Sequence, residues 1–365
     1  MRIRAALVEE RGGPIRVQEV DLQDPGEGEV RVKLVASGVC HSCLHAADGS
    51  WTTFPMPIVL GDEGAGIVDA TGPGVRGVRE GDHVVLSWTP ACGLCHYCVT
   101  GRPVLCERRA PRPGTLPDGT TRLRWRGEPL YHFGTVASHA DYTTIPDSCA
   151  VPIRRDVPLE TVALIGCSVM TGVGSVLNTA QVSAGAGMAV FGAGGIGLNC
   201  IQGGALAGAT PIIAVDVLPQ KLDYARRFGA THTVDATQGD PIAAIKQIAP
   251  RGADFTFVAV GNAAVINQAW DALAPGGTCV LIGLPATSET VTFQAGALQA
   301  NEKVLRGSRY GSARMRDDFP RMVELYRSGR LKIDELINRR FTLDETGDAY
   351  KALAAGELAR GVIVN

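Results

Sequence analysis

The chain has 365 residues, 45% hydrophobic and 20% charged, with a formal net charge of −2. That balance gives no electrostatic case for binding nucleic acid or an anionic membrane, and no apolar run reaches the roughly 18 residues a membrane-spanning helix needs. The length predicts about two domains. Ten cysteines accompany an N-terminus that alternates like a strand and lacks a signal-peptide core. They read as reduced thiols and metal ligands in a cytoplasmic protein.

Residues 1–150 are broken by Gly and Pro into short β-type runs such as Val30–Ala36, Gly66–Ala70 and His83–Ser87. Strands this short and this often interrupted predict a folded-over antiparallel domain. Residues 108–135, rich in Arg, Gly and Pro, read as a long surface loop. From about Thr171, apolar strands alternate with helical stretches, at Met188–Phe191, Ile212–Val215, Phe255–Val260 and Cys279–Ile282. That rhythm predicts a parallel sheet with helices on both faces. Beyond about Tyr310 come an amphipathic helix, Met315–Ser328, and a last strand, Gly361–Val364.

Cys92, Cys95, Cys98 and Cys106 are spaced C-x2-C-x2-C-x7-C. The short steps let neighbouring thiolates converge on one tetrahedral Zn²⁺, and no ligand from outside the run is needed, as in a closed structural site. Two local disulfides or an iron–sulfur cluster are the competing readings of the same spacing.

The strand Met188–Phe191 runs into Gly192-Ala-Gly194-Gly195-Ile196-Gly197 and then an apolar helical segment, with Asp216 ending the next strand. In that setting the glycines let backbone approach a pyrophosphate, and the helix N-terminus supplies N–H donors. Asp216 would bond the adenosine ribose hydroxyls and repel a 2′-phosphate, which favours NAD over NADP. Lys221 is positioned to lie against the ribose or to be an exposed lysine.

Three further segments hold potential metal ligands: Gly38-Val-Cys40-His41-Ser42-Cys43-Leu-His45, Gly61-Asp62-Glu63-Gly64-Ala-Gly66, and Ile165-Gly166-Cys167 through Thr171-Gly172. Thiolate and carboxylate can hold Zn²⁺ with one position open for a substrate oxygen. Spacing does not bring them together, and a buried free cysteine is the alternative for Cys40 and for Cys167.

With these segments in order, the chain resembles the zinc-containing medium-chain alcohol dehydrogenases, from about Ala5 to Gly356-Glu-Leu-Ala-Arg360-Gly. The loop around Gly114-Thr-Leu-Pro-Asp-Gly is similar to the longer-chain, often dimeric branch. Val85-Leu-Ser-Trp-Thr and Asp223-Tyr-Ala-Arg-Arg-Phe-Gly are similar to its actinobacterial members, which include mycothiol-dependent formaldehyde dehydrogenase and nicotinoprotein-like alcohol dehydrogenases. The resemblance implies an α/β fold: a GroES-like β-rich catalytic domain over 1–168 and 310–365, with a zinc lobe at 90–110, and a Rossmann domain over 169–309. It implies NAD and zinc as cofactors, an alcohol or aldehyde as substrate, and a homodimer. By position it makes Cys40 and Cys167 catalytic-zinc ligands, Ser42 the hydroxyl bonded to the substrate, His45 the base that passes the proton to solvent, and Glu63 the carboxylate beside the metal. Thr171 and Ile196 would touch the nicotinamide, and His41 and Arg360 the pyrophosphate.

Two positions depart from the family pattern. Asp62 stands where a histidine ligand is usual, and Cys43 where an aspartate is usual. Counting charge, Cys40, Asp62 and Cys167 with a neutral Cys43 supply the same three negative charges as Cys-His-Cys plus an outer aspartate, so the carboxylate has moved onto the metal. That predicts a zinc of weaker Lewis acidity. Ligation by Cys43 with Asp62 outside, or a site with no metal, are the alternatives. The leading function is NAD-dependent interconversion of a primary or aryl alcohol and its aldehyde. Thiol-dependent formaldehyde oxidation, metal-free reduction of an activated alkene and a non-catalytic nucleotide-binding role are the competitors.

Overall fold

The computed structural model describes all residues except 284 and 286–288. The chain forms two compact units, Met1–Ser168 with Arg314–Asn365, and Val169–Ala313. The return to the first unit thus falls at Arg314, a few residues beyond the 310 expected.

The first unit contains a small closed barrel and a seven-stranded sheet. Arg2–Val8 pairs on one side with Ile15–Leu22 and on the other with Ile58–Val59, and the barrel closes through Leu123–Trp125 and Glu128–His132. The last two strands lie inside the segment expected to be a surface loop, and that expectation fails. Leu116, Leu123, Leu130 and Phe133 are buried in the unit, and the strands are joined by Arg126-Gly127, both at positive φ. Such a turn matches the twist of a hairpin, but Arg-Gly lacks the Asn-Gly or Asp-Gly signature that marks one in a sequence. In the larger sheet, Glu29–Gly38 pairs with Ala65–Thr71, with Tyr142–Pro146 and with the C-terminal strand Arg360–Val364. That last pairing sets Arg360 at the start of a buried interior strand.

The second unit is a six-stranded parallel sheet in the order His232–Asp235, Ile212–Asp216, Met188–Phe191, Ala253–Val258, Leu273–Leu281, Val304–Gly307. The order reverses beside Met188–Phe191, the switch point where a doubly wound sheet opens a crevice at its strand ends. The central strands Met188–Phe191 and Ile212–Asp216 are buried along their whole length and read as near-continuous apolar runs, as strands covered on both faces do. Leu273–Leu281 begins earlier than expected and carries Pro275-Gly276-Gly277 near its start, where its pairing slips register. Among the described residues no single helix is long and apolar enough to cross a membrane.

Candidate metal centres and coenzyme loop

Cys92, Cys95, Cys98 and Cys106 come together with their sulfurs all within 4.8 Å of one another. Cys92 and Cys98 are 4.0 Å apart, and Cys95 and Cys106 3.9 Å. Zn–S bonds of about 2.3 Å at tetrahedral angles put sulfurs about 3.8 Å apart, so the four residues fit one zinc ion. Backbone N–H groups of Leu94 and Cys95 point at the Cys92 sulfur and that of Cys92 at the Cys106 sulfur. Backbone N–H groups of Glu107 and Cys98 hold the Cys95 thiol down to about 6. Each such bond favours the thiolate a metal requires.

The second cluster is assembled from three distant segments. Cys40 caps the helix His41–Asp48, which places Ser42 and His45 one turn apart on the same side. Asp62 sits in a turn made possible by Gly61, whose φ of +104° suits glycine and whose hypothetical Cβ would lie 2.5 Å from Ser138 Oγ. Cys167 follows the short helical turn Ala163–Gly166. One ligand atom from each of Cys40, Asp62 and Cys167 lies within 4.8 Å of the others, and all three residues are buried. The Asp62 carboxylate is divided: Oδ2 lies 3.6 Å from Cys167 Sγ, and Oδ1 lies 3.6 Å from Cys43 Sγ. The grouping therefore puts Asp62 beside the two thiols and Cys43 behind Asp62.

The charge at this cluster is consistent with a cation. A hydrogen bond from Cys167, opposed by burial and helped by the positive charge of Arg360, draws the Cys40 thiol down to about 6. Cys167 is pushed up by its bond to Cys40 and by burial, and Asp62 by burial and by Cys40. Three acidic groups thus crowd together beside the Arg360 guanidinium, and a divalent ion would take the place of the protons they hold. The residues fit zinc in both composition and spacing.

Glu63 is fully buried and ion-paired with Arg360, and its other oxygen accepts the Ser168 backbone N–H at 2.7 Å. Its backbone carbonyl accepts from the Ser138 hydroxyl at 2.5 Å and lies 2.9 Å from the Ser37 hydroxyl, which is also 2.6 Å from His139 Nδ1. These partners were not legible in the sequence, because no local signal ties Ser37, Ser138 or Arg360 to Glu63. Ser42 is half-buried and bonds the Cys40 sulfur. The His45 ring packs 5.4 Å from Trp51, and its buried Nδ1 has no partner among the described residues. His41 is exposed, its ring 6.2 Å from that of His45.

In the second unit, Gly194 caps the helix Gly195–Ala207. A Cβ on Gly197 would strike the Gly192 carbonyl at 1.8 Å, so this glycine is required by the loop itself. A Cβ on Gly194 would meet nothing within 4 Å, so an open face lies there, beside the helix N-terminus. Asp216 ends its strand with Oδ2 accepting the Ala193 N–H at 2.7 Å and Oδ1 accepting those of Val217 and Leu218 at 2.8 and 3.0 Å. It anchors the glycine loop. Lys221 is half-buried on the following helix. Thr171 and Ile196 lie on two segments packed closely at Gly172, whose Cβ would meet the Ile196 carbonyl at 2.6 Å.

Residues 26–155 match the alcohol dehydrogenase GroES-like domain and residues 195–328 the zinc-binding dehydrogenase domain. Over its whole length the chain is 39% identical to the full-length alcohol dehydrogenase class-3 of Cereibacter sphaeroides. The chain belongs to the zinc-binding medium-chain alcohol dehydrogenases. It is also 38% identical to the NDMA-dependent alcohol dehydrogenase of Amycolatopsis methanolica, covering 100% of this chain and 99% of that one. The fold is similar to that of benzyl alcohol dehydrogenase from Acinetobacter calcoaceticus, with a TM-score of 0.94, 32% identity and coverage of 100% of this chain and 99% of that one. The chain is accordingly an oxidoreductase of the alcohol dehydrogenase family, with a GroES-like domain and a coenzyme domain of the NAD(P) type.

Proposed function

We propose that this member of the family interconverts a primary or aryl alcohol and its aldehyde, using NAD and a catalytic zinc held by Cys40, Asp62 and Cys167. The observation that carries the reading is the buried convergence of those three residues, with the Asp62 carboxylate facing Cys167 where the family's usual imidazole would stand. The similarity to benzyl alcohol dehydrogenase supports the aryl end of the substrate range.

When bound, zinc would polarise the alcohol oxygen and NAD would accept the hydride. The protein's residues handle the proton and the positioning. Ser42 takes the hydroxyl proton of the substrate, and His45, on the same side of its helix, passes it towards solvent. Glu63, anchored by Arg360 and Ser168, keeps a second carboxylate beside the ligand trio. In the coenzyme unit the open face at Gly194, with Gly192, Gly195 and Gly197, receives the pyrophosphate at the helix N-terminus. Asp216 receives the ribose hydroxyls with Lys221 alongside, and Thr171 and Ile196 flank the nicotinamide. The resemblance also assigns His41 and Arg360 to the coenzyme phosphates; within the first unit His41 is exposed and Arg360 is paired with Glu63. The protein is cytoplasmic and acts as a homodimer, formed by the exposed edge strand Val304–Gly307, where Val304 is 46% and Leu305 41% exposed.

The test is zinc content together with turnover of benzyl alcohol and NAD, in native protein and in Asp62→His. Two zinc ions per chain are expected, one for each cluster. A carboxylate ligand leaves less positive charge facing the substrate oxygen than imidazole does, so native activity should rise towards alkaline pH and Asp62→His should move the profile to lower pH. One zinc per chain and no alcohol turnover would refute the reading and leave metal-free alkene reduction as the activity to assay. A second reading has its own support: the chain is 37% identical over its full length to the S-(hydroxymethyl)glutathione dehydrogenase of Paracoccus denitrificans. Formaldehyde oxidation that requires an added thiol would establish it.

A further inference from the structure

Behind the ligand trio runs a line of buried polar side chains that the reaction just described does not use. Cys43 Sγ lies 3.6 Å from Asp62 Oδ1 and is hydrogen-bonded to the Tyr350 hydroxyl. That hydroxyl lies 2.8 Å from His139 Nε2. On the other edge of the ring, His139 Nδ1 lies 2.6 Å from Ser37 Oγ. Cys43 and His139 are fully buried and Ser37 and Tyr350 almost so. All of these groups belong to the first unit, yet 211 positions separate His139 from Tyr350.

Counting protons gives the line a single direction. A metal-ligating carboxylate only accepts hydrogen bonds, so Cys43 must donate its one proton to Asp62 Oδ1. Its sulfur must then accept from Tyr350, whose single proton is thereby used. The Tyr350 oxygen in turn must accept from His139, which fixes the Nε2–H tautomer and leaves Nδ1 to accept from Ser37. The Ser37 hydroxyl also lies 2.9 Å from the Glu63 carbonyl, but Ser138 supplies that carbonyl with a hydrogen bond of its own at 2.5 Å, so the one Ser37 proton can go to His139 at 2.6 Å. Ser37 starts the line as a donor, and His139, Tyr350 and Cys43 each accept from the group before and donate to the group after.

We propose that Ser37, His139, Tyr350 and Cys43 form a directed hydrogen-bond chain that positions Asp62 for ligation through Oδ2 by holding Oδ1 turned away from the two thiols. It rests on the reading of Asp62 as a zinc ligand. In many metal sites a carboxylate or carbonyl orients a ligating histidine; here the order is inverted, and a neutral chain orients a ligating carboxylate. The chain also accounts for Cys43, since its thiol supplies a donor where an aspartate could only repel Asp62. Burial holds the His139 imidazole down to about 3, which agrees with a neutral ring carrying one N–H.

The experiment measures metal affinity by chelator competition and the visible absorption of cobalt-substituted protein, for Cys43→Ala, Cys43→Ser, Tyr350→Phe and Asp62→Asn. Losing an outer partner commonly weakens metal affinity about 10–100-fold. Cys43→Ala should show that loss and shifted cobalt bands. Tyr350→Phe should show a smaller loss of the same kind, and Cys43→Ser, which restores a donor, should return both readouts towards native. The four-cysteine lobe should keep its own ion in every variant, which separates the effect from general unfolding. Native affinity and unchanged bands in both Cys43→Ala and Tyr350→Phe would overturn the positioning chain. In that case, loss of the ion in Asp62→Asn would leave Asp62 standing as a ligand. A native protein that binds one ion per chain would overturn both.

Discussion

Replacing Arg360 with methionine tests the buried centre of the first unit most directly. Arg360 is 5% exposed and Glu63 fully buried, and the guanidinium is the charged partner of the carboxylate, whose other oxygen holds only a backbone N–H. Methionine fills much of the arginine volume but leaves Glu63 without its counter-charge. Breaking a buried pair from one side typically costs about 3–5 kcal/mol, whereas replacing both partners with neutral groups costs far less. Arg360→Met should therefore destabilise the first unit by about 3–5 kcal/mol, and Glu63→Gln added to it should recover at least about half of that loss. Three of the four tryptophans, Trp51, Trp88 and Trp125, lie in this unit, so urea unfolding followed by tryptophan fluorescence reports mainly on it. A cost below about 1 kcal/mol, or losses in the single variants that simply add in the double variant, would show that the ion pair does not organise the site. If Arg360 served the coenzyme alone, its replacement would raise the KM for NAD and leave the unfolding curve where it was.

Three other outcomes are expected. Cys98→Ser should remove one zinc per chain and lower solubility and thermal stability, with a smaller effect on turnover by the folded fraction; retention of the full zinc content would contradict a four-thiolate site. Asp216→Ser should narrow the preference for NAD over NADP by about tenfold or more in kcat/KM and weaken both coenzymes, because the anchor on Ala193 N–H is also lost; an unchanged ratio would remove Asp216 from coenzyme selection. His139 carries a pH prediction. Its folded pKa is held at about 3 by burial, below the ordinary value near 6.5, so below about pH 6.5 the unfolded chain binds a proton that the folded chain does not. Stability should be intact above about pH 6.5 and fall by up to ~1.4 kcal/mol per pH unit as pH drops towards about 3. His139→Phe, which packs a ring of similar size beside Tyr350, should flatten that slope by about one proton, and an equal slope in variant and native protein would count against a neutral buried ring.

Some features were legible in the sequence because their determinants are local. The four-cysteine lobe closes within fifteen residues, so spacing alone prescribes the convergence of its sulfurs. The glycine loop is likewise one strand, one turn and one helix in succession, and Asp216 follows on the adjacent parallel strand. Strand and helix periodicity placed most elements of the doubly wound sheet, since continuous apolar runs are what a sheet covered on both faces demands. The hairpin inside 108–135 was not legible, because its Arg-Gly turn carries a weak local signal and its strands are stabilised by closing a barrel with residues about 100 positions earlier. The altered site was readable only as a list of residue types. That Asp62 faces Cys167, that Cys43 stands behind it, that Arg360 neutralises Glu63 and that His139 meets Tyr350 were decided by tertiary structure. Side chains from 37 to 360 reach one buried volume only when the C-terminal strand pairs with Glu29–Gly38. There the cost of leaving a polar group unpaired selects which partners meet.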